Sequence, residues 1–152
     1  MNLHNQNKNF NELIRQLFNA EKWEKRANAA LELGYLRDKR ATNLLIKALN
    51  KESDISVLNR IVEALGRLKD PKATIPLIKL LKRTINKNDP NKDLIFVIIE
   101  SLMKLGDKRA LTELGLIMDS CDEEIRGLTE QTLDCIDSNW RENLSSLKND
   151  KK

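Results

Sequence analysis

Apolar residues in this chain recur with a helical period. Three stretches carry them at i, i+3, i+4, i+7 and i+8, with Glu113 the exception: Ala41-Thr42-Asn43-Leu44-Leu45-Ile46-Lys47-Ala48-Leu49, Ala73-Thr74-Ile75-Pro76-Leu77-Ile78-Lys79-Leu80-Leu81 and Ala110-Leu111-Thr112-Glu113-Leu114-Gly115-Leu116-Ile117-Met118. That stripe predicts half-buried amphipathic helices. The segment before each stretch also repeats. Leu33-Gly34-Tyr35-Leu36-Arg37-Asp38-Lys39-Arg40 returns as Leu65-Gly66-Arg67-Leu68-Lys69-Asp70-Pro71-Lys72, and more loosely as Leu102-Met103-Lys104-Leu105-Gly106-Asp107-Lys108-Arg109. A faint fourth copy opens at Leu133-Asp134-Cys135-Ile136. The register leucines Leu33, Leu65, Leu102 and Leu133 are spaced 32, 37 and 31 residues apart. A period of this length predicts stacked helix pairs, each a first helix, a turn at the Asp and a second helix.

Local chemistry supports that division. Asp38, Asp70 and Asp107 stand where a carboxylate can accept from the orphan N–H groups of a following helix. Pro71 follows at the first helical position, where its missing N–H does no harm. Asp89-Pro90 predicts the same start for the third pair. Gly34 and Gly66 are matched in register by Met103 and Asp134, so close helix–helix approach explains them better than left-handed caps. Asn9 is expected to cap a leading helix with Phe10, Leu13, Ile14, Leu17 and Phe18 on one face, which shields the open end of the stack. Residues 138–147 read as a degraded last helix with Trp140, Leu144 and Leu147 on its apolar side. The extra residues of the longer spacing fall in 82–93, the longest polar interruption and a natural place for specificity. Residues 94–99, Leu-Ile-Phe-Val-Ile-Ile, read alone as a buried strand. The repeat register makes them helix.

Composition narrows the class. The chain has 152 residues, 40% hydrophobic but only 4% aromatic, so the core comes from Leu, Ile, Val and Ala. Two cysteines, Cys121 and Cys135, are too few for a disulfide framework. Cys135, beside Ile136, is expected in the core, and Cys121 lies in an acidic stretch that disfavours a thiolate. Residues 1–9 do not resemble a signal peptide, and the longest apolar run falls far short of the roughly 20 residues of a membrane span. A soluble, cytoplasmic protein is expected. The net charge of +4 is uneven: residues 1–83 hold 17 Lys and Arg against 9 Asp and Glu, the rest 10 against 14. The single His4 offers no pair for zinc or iron, and no phosphate loop, nucleophile elbow or Cys-His arrangement occurs. The expectation is no enzyme, no cofactor and no metal.

The repeated segments resemble HEAT repeats, and among them the short phycobilisome-lyase-like subclass. Its pattern is roughly Val-Arg-x-x-Ala-Ala-x-Ala-Leu-Gly-x-Ile-x-Asp-x-Arg-Ala followed by Leu-Ile-x-Ala-Leu. Residues 26–49 and 57–81 match it. The third copy departs at Met103 and Gly115, and the fourth keeps Ile125-Arg126 and Leu133 but loses Asp-x-Arg-Ala. The resemblance implies an all-α solenoid (α-α superhelix) of about four HEAT-type helix pairs with an N-terminal capping helix. Repeats are expected near 20–52, 53–88, 89–120 and 121–148 within a solenoid of residues 9–148, between disordered tails at 1–8 and 149–152. It implies first helices on a convex side, second helices on a concave side, and protein–protein interaction as the default role. Deoxyhypusine hydroxylases of this repeat type hold iron with repeated His-Glu pairs, which this chain lacks.

On this scheme the concave side carries Arg40, Asn43, Lys47 and Asn50, then Lys72, Ile75, Lys79 and Lys82, then Arg109, Thr112, Leu116 and Asp119. Rows of Arg40, Lys72 and Arg109, and of Lys47 and Lys79, would grip acidic groups. The resemblance implies that Arg40 and Arg109 pair with a repeat Asp, whereas Lys47, Lys79 and Lys82 lack that explanation. Phe96, Val97 and Leu128 replace polar residues of sibling repeats, which marks them as an apolar contact patch or as the seat of the 82–93 loop. The expected function is a non-catalytic adaptor or scaffold that binds a partner protein, an acidic or helical segment, on the concave face. Nucleic-acid binding through the basic N-terminal half is the first alternative, with few aromatics to stack bases. A bilin-lyase-like accessory subunit is the second. No membrane or small-molecule substrate is expected.

Overall fold

The computed structural model describes residues 2–119 and 122–149, with the backbone alone for Leu147 and Lys148. Cys121, the Leu147 side chain and residues 150–152 lie outside the described residues. Those described form nine α-helices and no strand. The fold class is therefore all-α, built from paired helices of the solenoid kind. The chain divides into two compact units, Met1–Ala73 and Thr74–Lys152.

The first unit holds α1 (Leu3–Asn19), α2 (Trp23–Leu36), α3 (Thr42–Lys51) and α4 (Ile55–Leu68). The two first helices, α2 and α4, pack together. Small residues allow it: α2 buries Ala27, Ala29, Ala30, Leu33 and Gly34. A Cβ at Gly34 would lie 2.9 Å from the Cα of Ala64. Close approach, not capping, is what this glycine provides. The leading helix α1 buries Phe10, Leu13 and Leu17 and packs on α2 and α3, as a capping helix should. Its cap is Asn2, whose side chain accepts from the His4 N–H, and not Asn9, which is exposed inside the helix. Residues 3–8 contain no Pro or Gly to stop the helix, so the polar stretch expected as a tail is helical from Leu3.

The second unit holds α5 (Thr74–Ile85), α6 (Lys92–Leu105), α7 (Leu111–Met118), α8 (Glu123–Ile136) and α9 (Trp140–Asn149). Helices α6 and α8 pack together, with α5 on α6 and α7 against α8 and α9. The strand-like run 94–99 is helical, and Leu94, Ile95, Ile98 and Ile99 are buried. Asn91 caps α6 by accepting from the Leu94 N–H at 2.8 Å. Asp89 and Pro90 sit in the exposed turn before it, so the cap falls two residues later than the Asp-Pro pair indicates. Trp140 is buried, and its indole N–H donates to Asp134 at 2.7 Å. Cys135 is exposed, contrary to expectation. The buried stripe of α8 runs Ile125, Thr129, Thr132, Leu133, Ile136, and position 135 falls outside it.

Three turns share one construction. Each first helix ends on a left-handed residue: Arg37 (φ 51°), Lys69 (φ 51°) and Gly106 (φ 64°). The recurring Asp follows, then a short 3-10 turn (Lys39–Ala41, Pro71–Ala73, Lys108–Ala110), then the second helix. The carboxylates of Asp38, Asp70 and Asp107 accept from the N–H groups of Arg40, Lys72 and Arg109 at 3.0, 3.1 and 3.0 Å. The expected caps exist, but they cap the 3-10 turn and not the α-helix itself.

Candidate protein-interaction face

In the first unit the second-helix face is polar, and Arg40 and Lys47 on it meet α1. Asn43, Lys47 and Asn50 are exposed along one side of α3. Arg40 turns its guanidinium onto its own Asp38, with Nη2 at 2.6 Å from the carboxylate. It also donates to Asn7 at 3.1 Å and lies 4.8 Å from the centroid of the Phe10 ring. Lys47 lies 5.9 Å from the centroid of Phe18. Arg40 and Lys47 thus meet aromatic residues of the capping helix. Lys72 is exposed and has no ion pair among the described residues.

A half-buried ion pair in this unit is structural. Arg26 binds Glu52 at 2.9 Å and donates to the carbonyls of Ala20 and Glu21. Burial disfavours the Glu52 carboxylate, but Arg26 and the N–H groups of Asp54 and Ser53 outweigh it and hold its pKa below the usual range. Arg26 and Glu52 line a depression with Phe18, Ala48 and Lys51, and the bonds from Arg26 hold the α1–α2 turn.

The second unit presents a different face. Ile75, Lys79 and Lys82 are exposed at i, i+4 and i+7 on α5, and Thr112 and Leu116 at i and i+4 on α7. One side-chain bond joins α5 to the turn before α7 and a second joins α5 to α7 itself. Thr74 Oγ1 donates to Asp107 at 2.9 Å, and Lys82 binds Glu113 at 3.0 Å. On the same two helices the apolar side chains of Ile75 and Leu116 are 39% and 55% exposed. Lys79 lies one turn from Ile75 and has no ion pair among the described residues. Arg109 is held by Asp107 at 2.5 Å, and this bond, with the Arg109 N–H and Thr74, lowers the Asp107 pKa to about 2.

The cationic residues expected to act alike therefore differ. Arg40 and Arg109 neutralise their own repeat's Asp, and Lys82, expected to be unpaired, neutralises Glu113. Lys79 and Lys72 remain open. Glu113 lies 31 residues after Lys82, one repeat on, which is the signal that would have found the pair. Phe96, Val97 and Leu128 are half-buried on α6 and α8, less exposed than Ile75 or Leu116. No group of three or more His, Cys, Asp or Glu residues among those described could hold a metal ion. No described helix is long and apolar enough to cross a membrane.

A family model for HEAT repeats matches residues 10–88, from the capping helix through the second helix pair. No curated protein matches the chain.

Proposed function

The chain belongs to the HEAT-repeat family, and from that we propose that it is a non-catalytic adaptor or scaffold that binds a partner protein through the α5–α7 face. Repeats of this family are generally protein-interaction modules. One observation carries the choice of face. Ile75 and Leu116 are large apolar side chains partly exposed to solvent on α5 and α7, which Lys82–Glu113 ties directly and Thr74–Asp107 ties through the turn before α7. Two exposed apolar anchors, with the open cation Lys79 one turn from Ile75, suit the apolar stripe of a partner helix that also carries a carboxylate. Partly exposed anchors contribute less to folding than core residues do, so replacing them costs binding more than stability.

Affinity capture followed by cross-linking mass spectrometry would name the partner and the face together. Ile75→Glu with Leu116→Glu is expected to abolish capture while the thermal midpoint stays within about 2 °C, since exposed substitutions usually change stability little. The exposed change Gln131→Glu on α8 is expected to leave capture intact. Retained capture by the double variant would move the partner to another surface.

A further inference from the structure

We propose that the turn edge of the first unit, carrying Arg37, Lys39, Lys69 and Lys72, is a second contact surface that binds a short acidic protein segment. This surface is separate from the α5–α7 face and does not depend on it. The two turns are neighbours. Gly34 approaches Ala64, the Arg67 guanidinium lies 4.5 Å from the Tyr35 ring centroid, and α3 contacts the Pro71–Ala73 turn. Helices α2 and α4 therefore run parallel and end side by side, about 8–10 Å apart as packed helices are. All four cations are exposed, and none has an ion pair among the described residues. The two carboxylates of the edge are occupied by their own turns: Asp38 by Arg40, and Asp70, buried, by the Lys72 N–H.

Folding explains these charges only in part. Arg37 and Lys69 occupy left-handed backbone, a conformation that favours glycine, and the third turn does use glycine there, Gly106. A cation past a helix C-terminus recovers some of that strain from the helix dipole. Lys39 and Lys72 have no such return. They stand at the start of the following helical segment, where the dipole favours acidic residues and Asp38 and Asp70 already serve as caps. Four unpaired cations, two on strained backbone and two at the unfavourable end of a dipole, are better explained by a ligand than by the fold.

Acidic protein suits the edge better than nucleic acid. The edge spans only two turns, about the length of three or four extended residues. Its nearby aromatic, Tyr35, is covered on one face by Arg67, and Trp23 stands at the other end of α2. A base-stacking platform is not offered.

The test uses the full chain and a fluorescein-labelled hexaglutamate peptide, with hexaglutamine and a labelled 20-base-pair DNA duplex alongside, read by fluorescence anisotropy at low salt. Wild type is expected to bind hexaglutamate and not hexaglutamine. Arg37→Gly with Lys69→Gly is expected to weaken binding about tenfold while raising the thermal midpoint, because glycine relieves the left-handed strain. Lys39→Gln with Lys72→Gln is expected to weaken binding similarly without lowering the midpoint. Lys22→Gln with Lys25→Gln removes equal charge from the other end of α2 and is expected to change affinity by less than about twofold. The proposal is overturned if wild type ignores hexaglutamate, or if the Lys22/Lys25 variant loses as much. It is also overturned if the duplex binds more tightly through the same residues, or if the glycine variant loses stability.

Discussion

Thr42 and Thr74 each open a second helix, are each buried, and differ in one bond. The Thr74 hydroxyl donates to the Asp107 carboxylate, whereas the Thr42 hydroxyl finds no partner among the described residues. Substitution by valine should therefore have opposite signs. Thr74→Val should lose about 1 kcal/mol, the usual net value of such a bond, and Thr42→Val should gain up to about 1 kcal/mol by removing an unsatisfied buried hydroxyl. Urea unfolding midpoints decide it, and two changes of like sign would show that the bond does not matter. Asp107 also makes stability depend on pH. Its pKa falls from the ordinary 3.8 to about 2, chiefly through the side-chain bond with Arg109. The folded chain then binds fewer protons than the unfolded one, so this contribution is complete above about pH 4 and is lost as pH falls through 2. The stability gap between wild type and Asp107→Asn should accordingly shrink between pH 5 and pH 2, and a constant gap would remove Asp107 from the acid response. The Asp-x-Arg pair was legible through the resemblance to HEAT repeats. The Thr74 bond was not, because it joins residues one repeat apart through hydroxyl orientation, which periodicity does not encode.

Two glycines inside helices make the same point about elements. An alanine at Gly34 meets the backbone of Ala64, and backbone cannot move aside. At Gly115 it meets the tip of Leu144, which can rotate. Gly34→Ala should therefore destabilise by about 1–3 kcal/mol despite the better helix propensity of alanine. Gly115→Ala should come close to neutral, as propensity offsets the repacking of α9. Denaturant titrations of the two variants test this, and equal losses would mean that α2 and α4 can separate to make room. The repeat register made the Gly34 contact legible, and it also turned the strand-like run 94–99 into α6. Helix starts were less legible. Asn9 and Asp89-Pro90 are good capping signals, yet Asn2 and Asn91 do the capping. The chain around each holds several residues able to cap, and packing chooses among them.

Over the whole chain, the candidate site was legible as a set of exposed second-helix positions but not as a ranking among them. Spacing gave Arg40, Lys82 and Arg109 the same standing as Lys72 and Lys79, and only the neighbouring carboxylates separate the neutralised cations from the open ones. The same locality governs stability. In a repeat architecture each helix is held by its immediate neighbours, so stability is a sum of local contributions and need not be uniform. Helix α4 buries Val57, Leu58, Ile61, Val62, Ala64, Leu65, Gly66 and Leu68, whereas α9 buries Trp140 and leaves residues 141–143, 145 and 146 exposed. Hydrogen exchange should follow that difference. Amides in the middle of α4 should exchange at least about 100-fold more slowly than those in the middle of α9, because α9 can open without disturbing α4. One common rate across all helices would mean that the chain opens as a single block. In that case neither unit would hold its repeats by local contacts, and the effects of Gly34→Ala and Thr74→Val would spread along the whole chain.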